Sequence, residues 1–123
     1  MADNNTVFLG TELKLKVSID PITSADPKND GNPKIYHMED YNFEVKFYCN
    51  SRNYVTMSNT NGSVLNGYHL DSDNYIALID TALLDKGDLK CTITAYIPDA
   101  HYNDKLRTEV YMINTGITIV KSI

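Results

Sequence analysis

Leu89-Lys90-Cys91-Thr92-Ile93-Thr94-Ala95-Tyr96-Ile97 is the stretch that decides the fold. Leu89, Cys91, Ile93, Ala95 and Ile97 share one parity; Lys90, Thr92, Thr94 and Tyr96 share the other. Successive side chains of a strand point to opposite faces, so this period of two predicts a long half-buried β-strand. Pro98 ends it, because proline has no N–H to give to a ladder. Upstream, Leu13, Leu15, Val17 and Ile19 alternate with Glu12, Lys14, Lys16 and Ser18, and Phe43, Val45, Phe47 and Cys49 alternate with Glu44, Lys46 and Tyr48. These are two further strands with apolar inner and charged outer faces.

Between them, the run from Asp20 to Tyr41 loses the alternation and gathers Pro21, Pro27, Pro33, Asn29, Asp30, Gly31 and Asn32, which predicts a long surface loop. Tyr54 to Met57 and Tyr75 to Ile79 read as short strands. Asn61-Gly62 and Asn66-Gly67 are pairs of the kind that turn hairpins. Asp80 to Lys86 reads as one helical turn, capped by Asp80 or Thr81 and ended by Gly87. Arg107 to Ile113 and Ile117 to Val120 form one interrupted strand or two short ones, with Gly116 marking a bulge or corner. About seven short strands with one short helical turn predict an all-β, immunoglobulin-like antiparallel β-sandwich. Residues 1–11 form an N-terminal arm and 12–123 a single domain, a length that suits one core.

Apolar residues make up 42% of the chain and charged residues 22%, which places it with self-folding globular domains and away from disordered chains. A net charge of −5 opposes docking on nucleic acid or on an anionic membrane, so neither is expected as a partner. The opening Met1 to Leu9 has no basic, then apolar, export pattern, and no apolar run reaches membrane-helix length; synthesis in a cytoplasm is expected.

His37, His69 and His101 lie far apart in loops or at strand ends, and Asp26 to Asn32 lacks the alternating ligands and closing Glu of a calcium loop, so no metal and no cofactor is expected. No serine sits in a nucleophile elbow and no glycine-rich phosphate loop occurs. Asn4-Asn5-Thr6 and Asn61-Gly62-Ser63 match the glycosylation sequon but, without export, read as polar turns. Cys49 and Cys91 fall on inward positions of two strands. A bridge between them would close a loop of about 43 residues, worth on the order of 4 kcal/mol, whereas the lack of an export signal favours reduced thiols.

Nine tyrosines and no tryptophan are the compositional hint of a binding surface. Tyrosine gives large, stiff contact area at little entropic cost. Tyr36, Tyr41, Tyr68 and Tyr102 fall in or beside predicted loops, and Tyr48, Tyr96 and Tyr111 on predicted outward strand faces. With the apolar triplet Val7, Phe8 and Leu9, residues Tyr36, Tyr41 and Tyr102 are the candidate interface. The triplet either docks on a partner or adds an edge strand to its own sheet. No long apolar stripe is expected outside the core, so the isolated domain should be a monomer or weak oligomer.

Leu9-Gly10-Thr11-Glu12-Leu13-Lys14-Leu15-Lys16-Val17, Tyr41-Asn42-Phe43-Glu44-Val45-Lys46-Phe47-Tyr48, Leu84-Asp85-Lys86-Gly87-Asp88-Leu89, and the closing Arg107-Thr108-Glu109-Val110-Tyr111 with Asn114-Thr115-Gly116-Ile117 resemble immunoglobulin-like virion domains of tailed bacteriophages, notably the crAss-like phages. The resemblance runs from Leu9 to Val120 and rests on strand order, a turn glycine and a composition rich in Asn, Asp, Tyr and Lys. It carries no functional residue across. It implies a non-enzymatic structural role in the virion: an auxiliary capsid (decoration or cement) protein bound to the major capsid protein, or a baseplate, head-fibre or other tail-associated module. A carbohydrate-binding β-sandwich touching host surface glycans is the competing reading, and the absence of tryptophan and of an export signal weighs against it.

Overall fold

Phe43, Val45 and Phe47 are almost fully buried along one face of a strand, and across the ladder they meet Ala95, Ile93 and Cys91, the inner residues of the long alternating segment. These two strands are the centre of a computed structural model that describes residues 5–19, 37–60, 63–71, 73–99 and 102–121. The described residues form eight strands: β1 (Thr6–Phe8), β2 (Glu12–Ser18), β3 (Asn42–Tyr48), β4 (Tyr54–Ser58), β5 (Gly67–Asp71), β6 (Asn74–Asp80), β7 (Gly87–Pro98) and β8 (Leu106–Val120). They build a mixed five-stranded sheet in the order β1-β8-β7-β3-β4 and an antiparallel three-stranded sheet in the order β2-β6-β5.

Inner residues of both sheets share one buried cluster, with Val17, Tyr75, Ala77 and Ile79 from the small sheet and Phe43, Val45, Phe47, Met57, Leu89, Ile93 and Ile97 among those from the large one. Burying each large side chain contributes roughly 1.5–3 kcal/mol. The Phe43 and Tyr75 rings join the sheets edge to face at 4.9 Å, an arrangement that suits the positive ring edge and negative ring face.

The alternating strands therefore lie where the sequence puts them, and all five inner residues of the long segment are buried. Several expectations are corrected. There are eight strands among the described residues, and one pair is parallel: β1 runs alongside Thr118 to Val120 of β8. Of the two readings of Val7-Phe8-Leu9, the structure has the edge strand. Val7 lies opposite buried Ile119, the Leu9 N–H donates to the Val120 carbonyl at 2.8 Å, and the Gly10 N–H donates to the buried Thr81 hydroxyl at 2.8 Å.

The long loop holds a 3-10 turn at Met38–Asp40, with Met38 fully buried; its residues 20–36 lie outside the described residues. The expected helical turn is a 3-10 turn at Thr81–Leu83 with Asp80 as its side-chain cap, and it stops at Leu84; Gly87 opens β7 instead. Asn66-Gly67 is no hairpin tip. Asn66, with φ 55, turns the chain into β5, where Gly67 lies so close to β6 that an added Cβ would stand 2.4 Å from the Ile76 carbonyl oxygen. The bulge near Gly116 is present: one step on β7, from Leu89 to Lys90, spans Ile117 back to Asn114 on β8.

β3 and β7 are neighbours in one sheet, so their cysteines cannot join two sheets. Cys91 is buried opposite Phe47, whereas Cys49 lies past the end of β3, half-buried, its thiol 3.6 Å from the Gly87 carbonyl. Both are free thiols whose pKa is raised, chiefly by burial.

Candidate protein-binding surface

Residues opposite one another across a ladder share a face, so the registers sort every side chain of the large sheet. On β8, Arg107, Glu109, Tyr111 and Ile113 face inward opposite Ile97, Ala95, Ile93 and Cys91, while Leu106, Thr108, Val110 and Met112 face outward opposite Pro98, Tyr96, Thr94 and Thr92. Val110 is 58% and Met112 78% exposed. Phe8, outward opposite Val120 at the far end of β8, is 60% exposed, and Tyr54 on β4 shares the same outer face. No long apolar stripe is expected outside the core, and what the structure leaves outside on β8 is a short group, Leu106, Val110 and Met112, interrupted by Thr108 and separated from Phe8 by Asn114 and Thr118.

The inner face of β8 carries charge. Arg107 donates to Asp99 at 2.9 Å and to Glu109 at 2.8 Å, and the Tyr111 hydroxyl donates to the other oxygen of Glu109. Burial disfavours the guanidinium charge, but the Glu109 and Asp99 carboxylates outweigh it and hold Arg107 above its ordinary pKa. Tyr111, expected on an outward face, lies inward in this cluster and packs on the core. The cluster ties the start of β8 to the end of β7 and pairs one guanidinium with two carboxylates.

The candidate interface residues part company. Phe8 is exposed; Val7 and Leu9 are half-buried against the core. Tyr41 is 4% exposed, its ring edge-on to Phe43 at 6.4 Å. It is a core residue, because it continues the inward parity of Phe43, Val45 and Phe47 by one step, a signal present in the sequence but masked by the loop before it. Tyr102 is half exposed in the β7–β8 connection, at the opposite end of β8 from Phe8. Tyr36 and His101 lie outside the described residues. Tyr48 and Tyr96 do face outward, beside Lys90 and Asn42 respectively.

A second apolar group lies on the outer face of the small sheet, where exposed Tyr68, Leu70 and Leu78 and half-buried Ile76 adjoin Lys14 and Lys16 of β2. Nearby, His37 Nδ1 lies 2.7 Å from Asp73 and His69 Nε2 lies 3.8 Å from Glu39. No group of three metal-ligating side chains occurs among the described residues, and none of their helices is long and apolar enough to cross a membrane. Comparison with protein-family models, with curated proteins and with solved structures finds no match to this chain.

Proposed function

We propose that the chain is an immunoglobulin-like sandwich that acts by binding and assembly, and that it is a structural protein of a tailed-phage particle, an auxiliary capsid protein bound to the major capsid protein. The strand order supports the fold reading. The sequence β8-β7-β3-β4 against β2-β6-β5 follows the G-F-C-C′ and B-E-D sheets of variable-type immunoglobulin domains, with the first strand carried over to the last. The chain departs from antibody domains in its fastenings. The B-like strand β2 has no cysteine to pair with Cys91, Leu89 stands two residues before Cys91 where antibody domains have the corner tyrosine, and the sequence has no tryptophan.

The observation that carries the binding role is Phe8, 60% exposed on the edge strand β1 beside Val120 of β8, away from the rows at the centre of the outer face. A large aromatic side chain left exposed at a sheet edge suits a protein contact. The virion assignment rests on the resemblance of the quoted segments. Among the described residues the most exposed tyrosines stand on separate elements, Tyr54 on β4, Tyr68 on β5 and Tyr102 in the β7–β8 connection, with half-buried Tyr48 opposite Tyr54. Mass spectrometry of purified particles tests the reading. The chain should be present in fixed ratio to the major capsid protein, and Phe8→Asp should lower that ratio without changing the melting temperature; particles that lack the chain overturn it.

A further inference from the structure

We infer that the outer face of the five-stranded sheet is self-complementary and docks a second copy of this chain about a two-fold axis. This goes beyond the particle reading and does not depend on it. Two adjacent rows cross β8, β7 and β3: Val110, Thr94 and Glu44 in one, Met112, Thr92 and Lys46 in the other. They lie two residues apart along each strand, roughly 7 Å. A two-fold axis in the plane of the face, running across the strands midway between these rows, exchanges them. Val110 then meets Met112 of the second copy, Thr94 meets Thr92, and Glu44 meets Lys46. The next rows out, Thr108-Tyr96-Asn42 and Asn114-Lys90-Tyr48, are exchanged as well, so that Lys90 meets Tyr96.

Every charge in these rows thus faces an opposite or neutral side chain, and the exposed apolar pair covers itself. An isologous contact requires this property and a foreign partner does not. The four rows carry Glu44 against Lys46 and Lys90, and so are not acidic although the chain's net charge is −5, which removes the repulsion that would oppose self-association elsewhere. Lys46 is steadied for the role, its ammonium 4.2 Å from the centre of the Tyr54 ring. On the outer face of the small sheet, exchanging the rows that hold its apolar side chains, Lys14-Leu78 and Lys16-Ile76-Tyr68, sets lysine on lysine. Stacked sheets pack about 10 Å apart with strands within about 30° of each other, so the small rotation from sheet twist leaves the central rows in contact.

Sedimentation equilibrium over a dilution series up to roughly 1 mM, on the whole chain, tests the inference. A concentration-dependent dimer is expected. Glu44→Lys and Lys46→Glu should each weaken it by about tenfold or more, since each creates a like-charge pair, and the two together should restore it to within about threefold because the swapped charges again face one another. Met112→Lys should abolish it. Circular dichroism melts of each variant separate folding from association, and the expected melts are those of the parent monomer. A monomer at all concentrations overturns the proposal, and so does a dimer in which the double variant is as weak as the singles.

Discussion

β2 and β8 follow the same alternation with opposite sign. On β2 the outward residues are Glu12, Lys14, Lys16 and Ser18 and the inward ones are Leu13, Leu15 and Val17. On β8 the outward residues are Leu106, Thr108, Val110 and Met112, while the inward set includes Arg107 and Glu109. Both strands satisfy the period of two that makes a strand; only β2 has its polar side in water. Charged side chains on an outer strand, lysine above all, keep foreign strands and surfaces away, so β2 reads as a guarded boundary. β8 inverts the arrangement, holding its charges inside as a compensated cluster and leaving its apolar side for contact. The period establishes the element, whereas the sign of the pattern has to be read from what lies across the ladder.

The largest expected effect breaks or upholds this comparison with one substitution at two valines. Val17 is 6% exposed in the core and Val110 is 58% exposed. Val17→Asp would bury an unpaired carboxylate at a cost of several kcal/mol, out of a total stability of about 5–15, so the cooperative thermal transition should be lost. Val110→Asp should change stability by no more than about 0.5 kcal/mol, as surface changes do. Equal damage at the two sites would put Val110 inside and reverse the facing assigned to β8.

The inverted charges supply the next contrast. Arg107→Met leaves Asp99 and Glu109 facing each other without their cation. Breaking a fully buried pair costs about 3–5 kcal/mol; here the side chains are 16% and 10% exposed, so roughly 2 kcal/mol is expected. Lys16→Met, which removes an exposed charge from β2, should cost less than about 0.5 kcal/mol. Urea titrations of the two variants make the comparison, and an Arg107→Met protein as stable as the parent would mean that the cluster is held together by something other than its cation.

The same contrast explains what could be read ahead of the structure. The inner faces of β2, β3 and β7 were legible because one parity is apolar and the other polar. In β8 each parity holds two or more apolar residues, Tyr111 and Ile113 on one and Leu106, Val110 and Met112 on the other, so hydrophobicity alone does not choose between them. The bulge offers a signal: it inserts two residues, which preserves parity, so stepping back by twos from the inward Ile119 and Ile117 reaches Ile113, Tyr111, Glu109 and Arg107. Using it needs the register against β7, a non-local pairing. The contact surface followed the same limit. Phe8 was named because it stands in a short apolar run, whereas Val110 and Met112 were missed because their exposure comes from where the neighbouring strand puts them.

The smallest effect expected is one of pH, where the turn before β3 meets the hairpin between β5 and β6. The imidazole of His37, which precedes the 3-10 turn, is paired with Asp73 in that hairpin, and the hydrogen bond to Asp73, followed by the charge of the same carboxylate, raises the His37 pKa above its ordinary 6.5. A raised folded-state pKa means that the folded protein holds the proton more tightly than the unfolded chain does. Its stabilising contribution is therefore complete below about pH 6.5 and is lost as pH rises through the folded value. Melting temperatures should fall modestly from about pH 6 to about pH 8, and Asp73→Asn should flatten that slope by removing the charge and leaving only a neutral acceptor for the His37 proton. Because both groups are exposed, added salt should weaken the difference. A proton-resonance titration that finds His37 at or below 6.5, or unchanged by Asp73→Asn, would show that the pair does not join the two sheets in solution. The small sheet would then be fastened to the large one without that pair, chiefly through its apolar inner face and contacts such as Phe43 on Tyr75.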